Sequence, residues 1–281
     1  MKYLVTGAGG QVGREVVELL AGQDVVVVDH AALDITDAAA VRDLVAGVRP
    51  QSIVHCAAWT AVDACESDPD RAFLVNATGV RNVTDAARNV DAYVAAISTD
   101  YVFDGTKPEP YDERDSTNPQ SVYGKSKLAG EREVDAGSAA IRTSWVVGRY
   151  GANMVKTILR LAGEHEKLAF VSDQRGHPTI AADLARMLCR FATERRPGTW
   201  HVTNQGAVSW HEFAQAVLAA DGEDPSRVGP VTTDELQPPR PAPRPANSVL
   251  DNRALREAGI DLLPDFRESL DLLVHQIRAA T

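Results

Sequence analysis

Tyr123 and Lys127 stand four residues apart in the run SVYGKSKLAGE, residues 121–131, just past a loop rich in Pro, Asp and Asn. On a helix that spacing puts both side chains on one face, one turn apart. A free phenol has a pKa of about 10, so alone it is a sluggish proton donor at neutral pH. A nearby ammonium lowers that value by stabilising the phenolate. The pair suits a reaction in which hydride reaches a ketone carbon and the oxygen, gaining negative charge, needs a proton. Upstream, the run AYVAAISTD at 92–100 ends in hydroxyls, so Ser98 or Thr99 would lie at the mouth of a crevice. Thr99 can hydrogen-bond the carbonyl oxygen and polarise it. Taken alone, a Tyr–Lys pair reads sooner as an exposed helix surface; the elements around it decide.

Those elements alternate between two periods. Short apolar runs fall at 3–5, 25–28, 52–55, 93–97 and 139–142. Several are continuous and rich in Val and Ile, as strands buried on both faces of a parallel sheet should be. Helical patterns lie between them at 11–21, 37–47, 70–89 and 122–135. The alternation predicts an α/β fold with a doubly wound parallel sheet. Beyond about Trp145 the rhythm loosens. Helices are expected at 153–162, 180–192, 210–219 and 264–277, and a strand at 168–171. The proline-rich run 236–248 reads as a polyproline ligand or as a rigid loop pinned to the domain. The second reading is preferred, because proline pre-orders a segment.

Glycines follow the first strand and enter the first helix as Gly7-x-x-Gly10-x-x-Gly13. Gly7 permits a tight turn, Gly10 lets the backbone approach a pyrophosphate, and Gly13 allows close packing of helix on sheet. The helix N-terminus offers free N–H groups to that anion. Asp29, at the end of the second strand, can accept hydrogen bonds from the adenosine ribose and would repel a 2′-phosphate, which favours NADH over NADPH. Asp34 either lies near the adenine or caps the helix beginning near Thr36 or Asp37. With a nicotinamide in the crevice, Lys127 can tune Tyr123 and also donate to the nicotinamide ribose.

Composition narrows the classes. The 281 residues carry a net charge of −10, which argues against a general affinity for nucleic acid or for anionic membrane. No basic n-region or signal-type apolar run opens the chain, and no run approaches the roughly 20 apolar residues of a membrane helix. Three cysteines without CxxC spacing fit a reduced, cytoplasmic setting. Seven histidines show no metal-binding spacing, so no catalytic metal is expected.

The glycine run and Tyr123-x-x-x-Lys127 are also the two marks of the extended short-chain dehydrogenase/reductases. A closer resemblance, over residues 1 to about 275, is to the dTDP-4-dehydrorhamnose reductase family. It is carried by GAGGQVGRE (7–15), AAWTAVD (57–63), STDYVFDG (98–105), VYGKSKLAGE (122–131), RTSW (142–145), DQRGHPT (173–179) and RPANS (244–248). The resemblance implies reduction of dTDP-4-dehydro-L-rhamnose at C4 by NADPH or NADH, with Tyr123 protonating O4, Thr99 assisting and Lys127 holding ribose. It implies cofactor contacts at Gln11, Val12, Ile35, Ala57, Ala58 and Thr60, beside the glycines and acids already named. Thr60, Val62, Asp100 and Tyr101 would meet the sugar. Trp145 would pack on the sugar, unless it is a core tryptophan. Asn153, Arg244 and Asn247 would handle the nucleotide diphosphate, making the proline-rich loop a substrate clamp.

The chain is read as a dinucleotide half, 1–148, completed by elements within 165–195, and a mainly sugar-nucleotide half, 149–281. Some family members form a metal-linked dimer through glutamates. Glu15 fits the first position, but Ala182 stands where another is expected, so no magnesium site is predicted and the chain is read as monomer or homodimer. Two rivals stay open: a 4-ketoreductase or epimerase acting on another nucleotide deoxysugar, and a non-catalytic NADP-binding regulatory subunit. Retention of Thr99, Tyr123 and Lys127 together speaks against the latter.

Overall fold

The computed structural model describes residues 1–280. Five strands, β1 (Lys2–Thr6), β2 (Asp24–Val28), β3 (Ser52–His55), β4 (Tyr93–Thr99) and β5 (Ala139–Thr143), join an edge strand, Gly198–His201, in one sheet. The order across it is β2-β1-β3-β4-β5-edge, and every pairing is parallel. Chain direction reverses its march between β1 and β3, the switch point at which such sheets open a crevice at their carboxyl ends.

Alternate residues of each strand feed opposite layers. Tyr3, Val5, Val54, Ala95 and Ile141 pack against α1 (Gln11–Leu19) and the helix Ala181–Glu194. Leu4, Ile53, Val94 and Ala96 pack against α2 (Ala38–Val48) and the helix Gly79–Arg88. The sheet is therefore buried on both faces, as its continuous apolar runs require.

Two elements depart from expectation. The helix expected over 70–89 is broken into Pro69–Phe73, a π turn at Leu74–Thr78, and Gly79–Arg88. The wide turn directs Asn76 into the protein, where its amide clasps the backbone of Trp59 and the hydroxyl of Ser126. The edge strand Gly198–His201 was not anticipated, since four residues of mixed polarity carry no strand period.

A second core gathers the helices Met154–Glu164, Trp210–Ala220 and Phe266–Ala279. Beside it Leu168–Val171 pairs in parallel with Val228–Val231. The proline-rich segment is pinned, as preferred: Ala242 is buried, Arg175 donates to the Ala246 carbonyl at 2.8 Å, and Asn247 donates to that of Gly105 at 3.2 Å. Among the described residues no helix is long and apolar enough to cross a membrane.

Candidate active site

The glycine loop is built for close approach. Gly7 has φ +67°, and a Cβ there would stand 2.5 Å from the Ala57 nitrogen. A Cβ on Gly13 would stand 2.2 Å from the Gly7 carbonyl oxygen. Gly10 forms the N-cap of α1, and no acidic side chain occupies that helix's first turn, so its N–H groups remain for an anion. A cavity of about 560 Å³ opens here, walled by Gly7, Gly9, Gly10, Asp29, Asp34, Ile35, Ala57, Ala58 and Trp59. These residues fit a dinucleotide: a tight glycine turn, free amides for a pyrophosphate, and acids at the ribose end.

Asp29 Oδ1 accepts the N–H groups of Ala31 and Ala32, both at 3.0 Å. Asp34 accepts from the Thr36 N–H and hydroxyl, and these bonds hold its carboxyl below the usual range. It does not cap the helix. Asp37 does, taking the Ala39 and Ala40 N–H groups at 2.9 and 3.0 Å. Val12 lies in the core beneath the loop and Gln11 sits against Gly151. Thr60 is exposed and outside the cavity wall.

The helix Val122–Glu131 carries Tyr123 and Lys127. Ser121 caps it, accepting the Gly124 N–H at 3.0 Å, and Glu66 accepts the Val122 N–H at 2.8 Å. Two glycines set its depth. A Cβ on Gly124 would lie 2.2 Å from the Tyr101 carbonyl oxygen, and one on Gly130 2.0 Å from that of Asn76. Tyr123 is 8% exposed and packs with Val62, Cys65 and Ala72. The Tyr101 ring meets it edge to face, centroids 5.5 Å apart.

Burial raises the phenol's pKa, and the opposing influence is a hydrogen bond with the Thr99 hydroxyl. Thr99 Oγ1 also donates to Asp100 Oδ1 at 3.0 Å. Burial pushes the Asp100 carboxyl up to about 6. Ser98 faces elsewhere, donating to Glu131 at 2.8 Å, so of the two hydroxyls it is Thr99 that joins Tyr123.

Lys127 is 4% exposed and donates to the Ile97 carbonyl at 2.7 Å. Burial lowers its pKa to about 8, against the pull of Glu131. The lysine's field falls on His55, driven down to about 3 by burial and then by Lys127, and on Cys56, a wall residue of the cavity. The ammonium thus acts on Cys56 of the cavity wall, and the hydroxyl of Thr99 lowers the phenol against the effect of burial.

The outlying candidates are placed as follows. Trp145 stacks on Trp210, centroids 3.6 Å apart and planes 9° off parallel, and packs on Gly176, joining the second core. Asn153 caps the helix Met154–Glu164 and donates to the Gly148 carbonyl at 2.6 Å. Asn247 donates to the carbonyls of Lys107 and Glu109 and accepts the Val249 N–H. Both amides bond local backbone and shape loops here. Arg244 is held by Asp63. Sequence reasoning missed Asp63, Glu66, Asn76 and Arg71, whose guanidinium lies 4.6 Å over the Trp59 ring. None stands in a spacing that signals its partner, since each partner is brought in by the fold.

A crevice for a dinucleotide at a parallel-sheet switch point, with a threonine ending β4 and a buried tyrosine and lysine on the helix tied to that strand, is the arrangement of an extended short-chain dehydrogenase/reductase. Comparison with known proteins narrows the class. The family described as RmlD substrate binding domain matches residues 1–279. A dTDP-4-dehydrorhamnose reductase of Streptomyces griseus is 43% identical, covering 96% of this chain and 91% of its own. A crystal structure of a dTDP-4-dehydrorhamnose reductase from Clostridium acetobutylicum superposes with TM-score 0.95 at 42% identity, over 99% of this chain and 100% of the other. One from Bacillus anthracis, in complex with NADP, superposes with TM-score 0.93 at 39% identity, over 98% and 100%. The chain belongs to the dTDP-4-dehydrorhamnose reductase family.

Proposed function

We propose that this chain reduces the 4-keto group of dTDP-4-dehydro-L-rhamnose to give dTDP-L-rhamnose, using NADPH or NADH. The reading is supported by the cavity that the glycine loop opens, by Thr99 at the end of β4, and by Tyr123 and Lys127 on the helix that Lys127 ties to that strand. The reduced nicotinamide supplies a hydride when bound. Tyr123 donates the proton to O4, and Thr99 keeps the phenol oriented and its pKa from climbing further. Lys127 spends one N–H on Ile97 and keeps two for ribose hydroxyls. Val62, Tyr101 and Asp100 wall the sugar's side of the phenol, and Arg244 takes the diphosphate.

On this reading, residues 1–148 with the helix Ala181–Glu194 hold the dinucleotide, and 149–281 mainly hold the sugar nucleotide. The cytoplasm is the setting, where the three unpaired thiols stay reduced. The chain works as monomer or homodimer without a metal link, because the Glu15 carboxylate is already taken by Arg149 at 3.0 Å. The direct test offers dTDP-4-dehydro-L-rhamnose, made in situ, with NADPH or NADH and follows nicotinamide absorbance. A flat trace with both cofactors contradicts the assignment.

A further inference from the structure

Asp63 sits between two elements that the reaction needs. It lies in the first turn of the short helix Val62–Ser67. Its carboxylate accepts from both Nη atoms of Arg244, at 2.5 and 2.7 Å, and from the Ala242 N–H at 3.1 Å. The Arg240 guanidinium stands 4.0 Å away. Three residues on, Glu66 accepts the N–H of Val122, the residue before the proton donor. Positions i and i+3 share a helix face. One turn of helix therefore grips the proline-rich segment through one carboxylate and the start of the Tyr123 helix through the other.

Arg244 extends the connection. Its side chain is 12% exposed and its charge acts on the Tyr101 phenol, and the Tyr101 ring stands against that of Tyr123. Arg244 and Tyr101 also wall a cavity of about 240 Å³ with Phe103, Gln120 and Ser121. A bidentate carboxylate fixes the plane of a guanidinium as a single contact cannot. The Asp63 side chain is 37% exposed, so solvent screening leaves the pair little to add to global stability. Its effect is geometric. A segment rich in proline has little freedom left to lose, and a few fixed bonds suffice to place it.

We propose that Asp63 is a positioning residue: it docks the proline-rich segment onto the helix of the proton donor, so that Arg244 is set for a diphosphate and Tyr101 is set against Tyr123 together. The proposal rests on the reading of the site given above. Asp63→Asn removes the charge and keeps the shape. Amide exchange over 236–250 is expected to rise clearly, the KM for the dTDP-sugar and the Kd for dTDP to rise about tenfold, and the Kd for NADPH to hold. Combining Asp63→Asn with Arg244→Gln should weaken dTDP binding no further than Arg244→Gln alone. Unchanged exchange in Asp63→Asn overturns the docking role without touching the substrate assignment. Additive losses in the double variant overturn the coupling. Undisturbed dTDP binding by Arg244→Gln alone overturns the diphosphate role, and with it that half of the proposal.

Discussion

The Lys127 ammonium donates to the Ile97 carbonyl at 2.7 Å, two residues before Thr99 on β4. That bond ties the helix of the proton donor to the strand that supplies its hydroxyl partner. It also holds a positive charge where almost no water reaches it, which is why the pKa falls to about 8. The Glu131 carboxylate, one turn further along the helix, opposes the fall and is itself locked to Arg142.

The first expectation concerns pH. Lys127 loses its charge as pH rises through about 8, so kcat/KM should decline above that value. Stability should move the other way. A lysine with an unfolded pKa of about 10.4 binds more protons unfolded than folded between the two values, so this group's contribution rises with pH across that window. A pH profile of kcat/KM from 6 to 10 checks the first, and urea midpoints over the same range check the second. A rate still rising at pH 9.5 would sink the assignment of the ammonium.

Tyr123→Phe deletes the proton donor and leaves the ring. Turnover should fall by roughly 10²–10⁴-fold. The Kd for NADPH, read by quenching of protein fluorescence, should stay within about twofold, because only the hydroxyl is lost. Undiminished reduction of the keto sugar by this variant contradicts the mechanism.

Glu131 and Arg142 form an ion pair with side chains 7% and 6% exposed, and Ser98 adds a hydrogen bond at 2.8 Å. Glu131→Gln leaves the guanidinium buried without its counter-charge, at a cost of about 3–5 kcal/mol. Glu131→Gln with Arg142→Met should recover part of that loss. Denaturant unfolding of the two variants is the measurement, and a single variant as stable as the parent would show the pair to be idle.

Asp29 tests cofactor choice. Its carboxylate lines the cavity, and beside an adenosine ribose it would meet a 2′-phosphate with like charge. Asp29→Ala should reduce any preference for NADH over NADPH, up to about tenfold in the ratio of kcat/KM values. An unchanged ratio removes the argument for repulsion at this site.

Much of this was legible along the chain because the signals are local. The glycine spacing, the strand runs and Tyr123-x-x-x-Lys127 each fit within a dozen residues, where period and turn chemistry act directly. Trp145 was left open between two roles, and the fold stacks it, half-buried, on Trp210, 65 residues away at the edge of the second core. Asn153 and Asn247 entered as diphosphate contacts through the resemblance, and only the fold shows the backbone carbonyls that their amides also bond. The sequence by itself determined the strand–helix alternation, the loop for a dinucleotide and the face shared by tyrosine and lysine. Tertiary structure alone decided that Thr99 rather than Ser98 partners the phenol, that the lysine is desolvated, and that Asp63 grips Arg244. Those outcomes depend on burial and on contacts across many tens of residues, and such contacts leave no period in the chain.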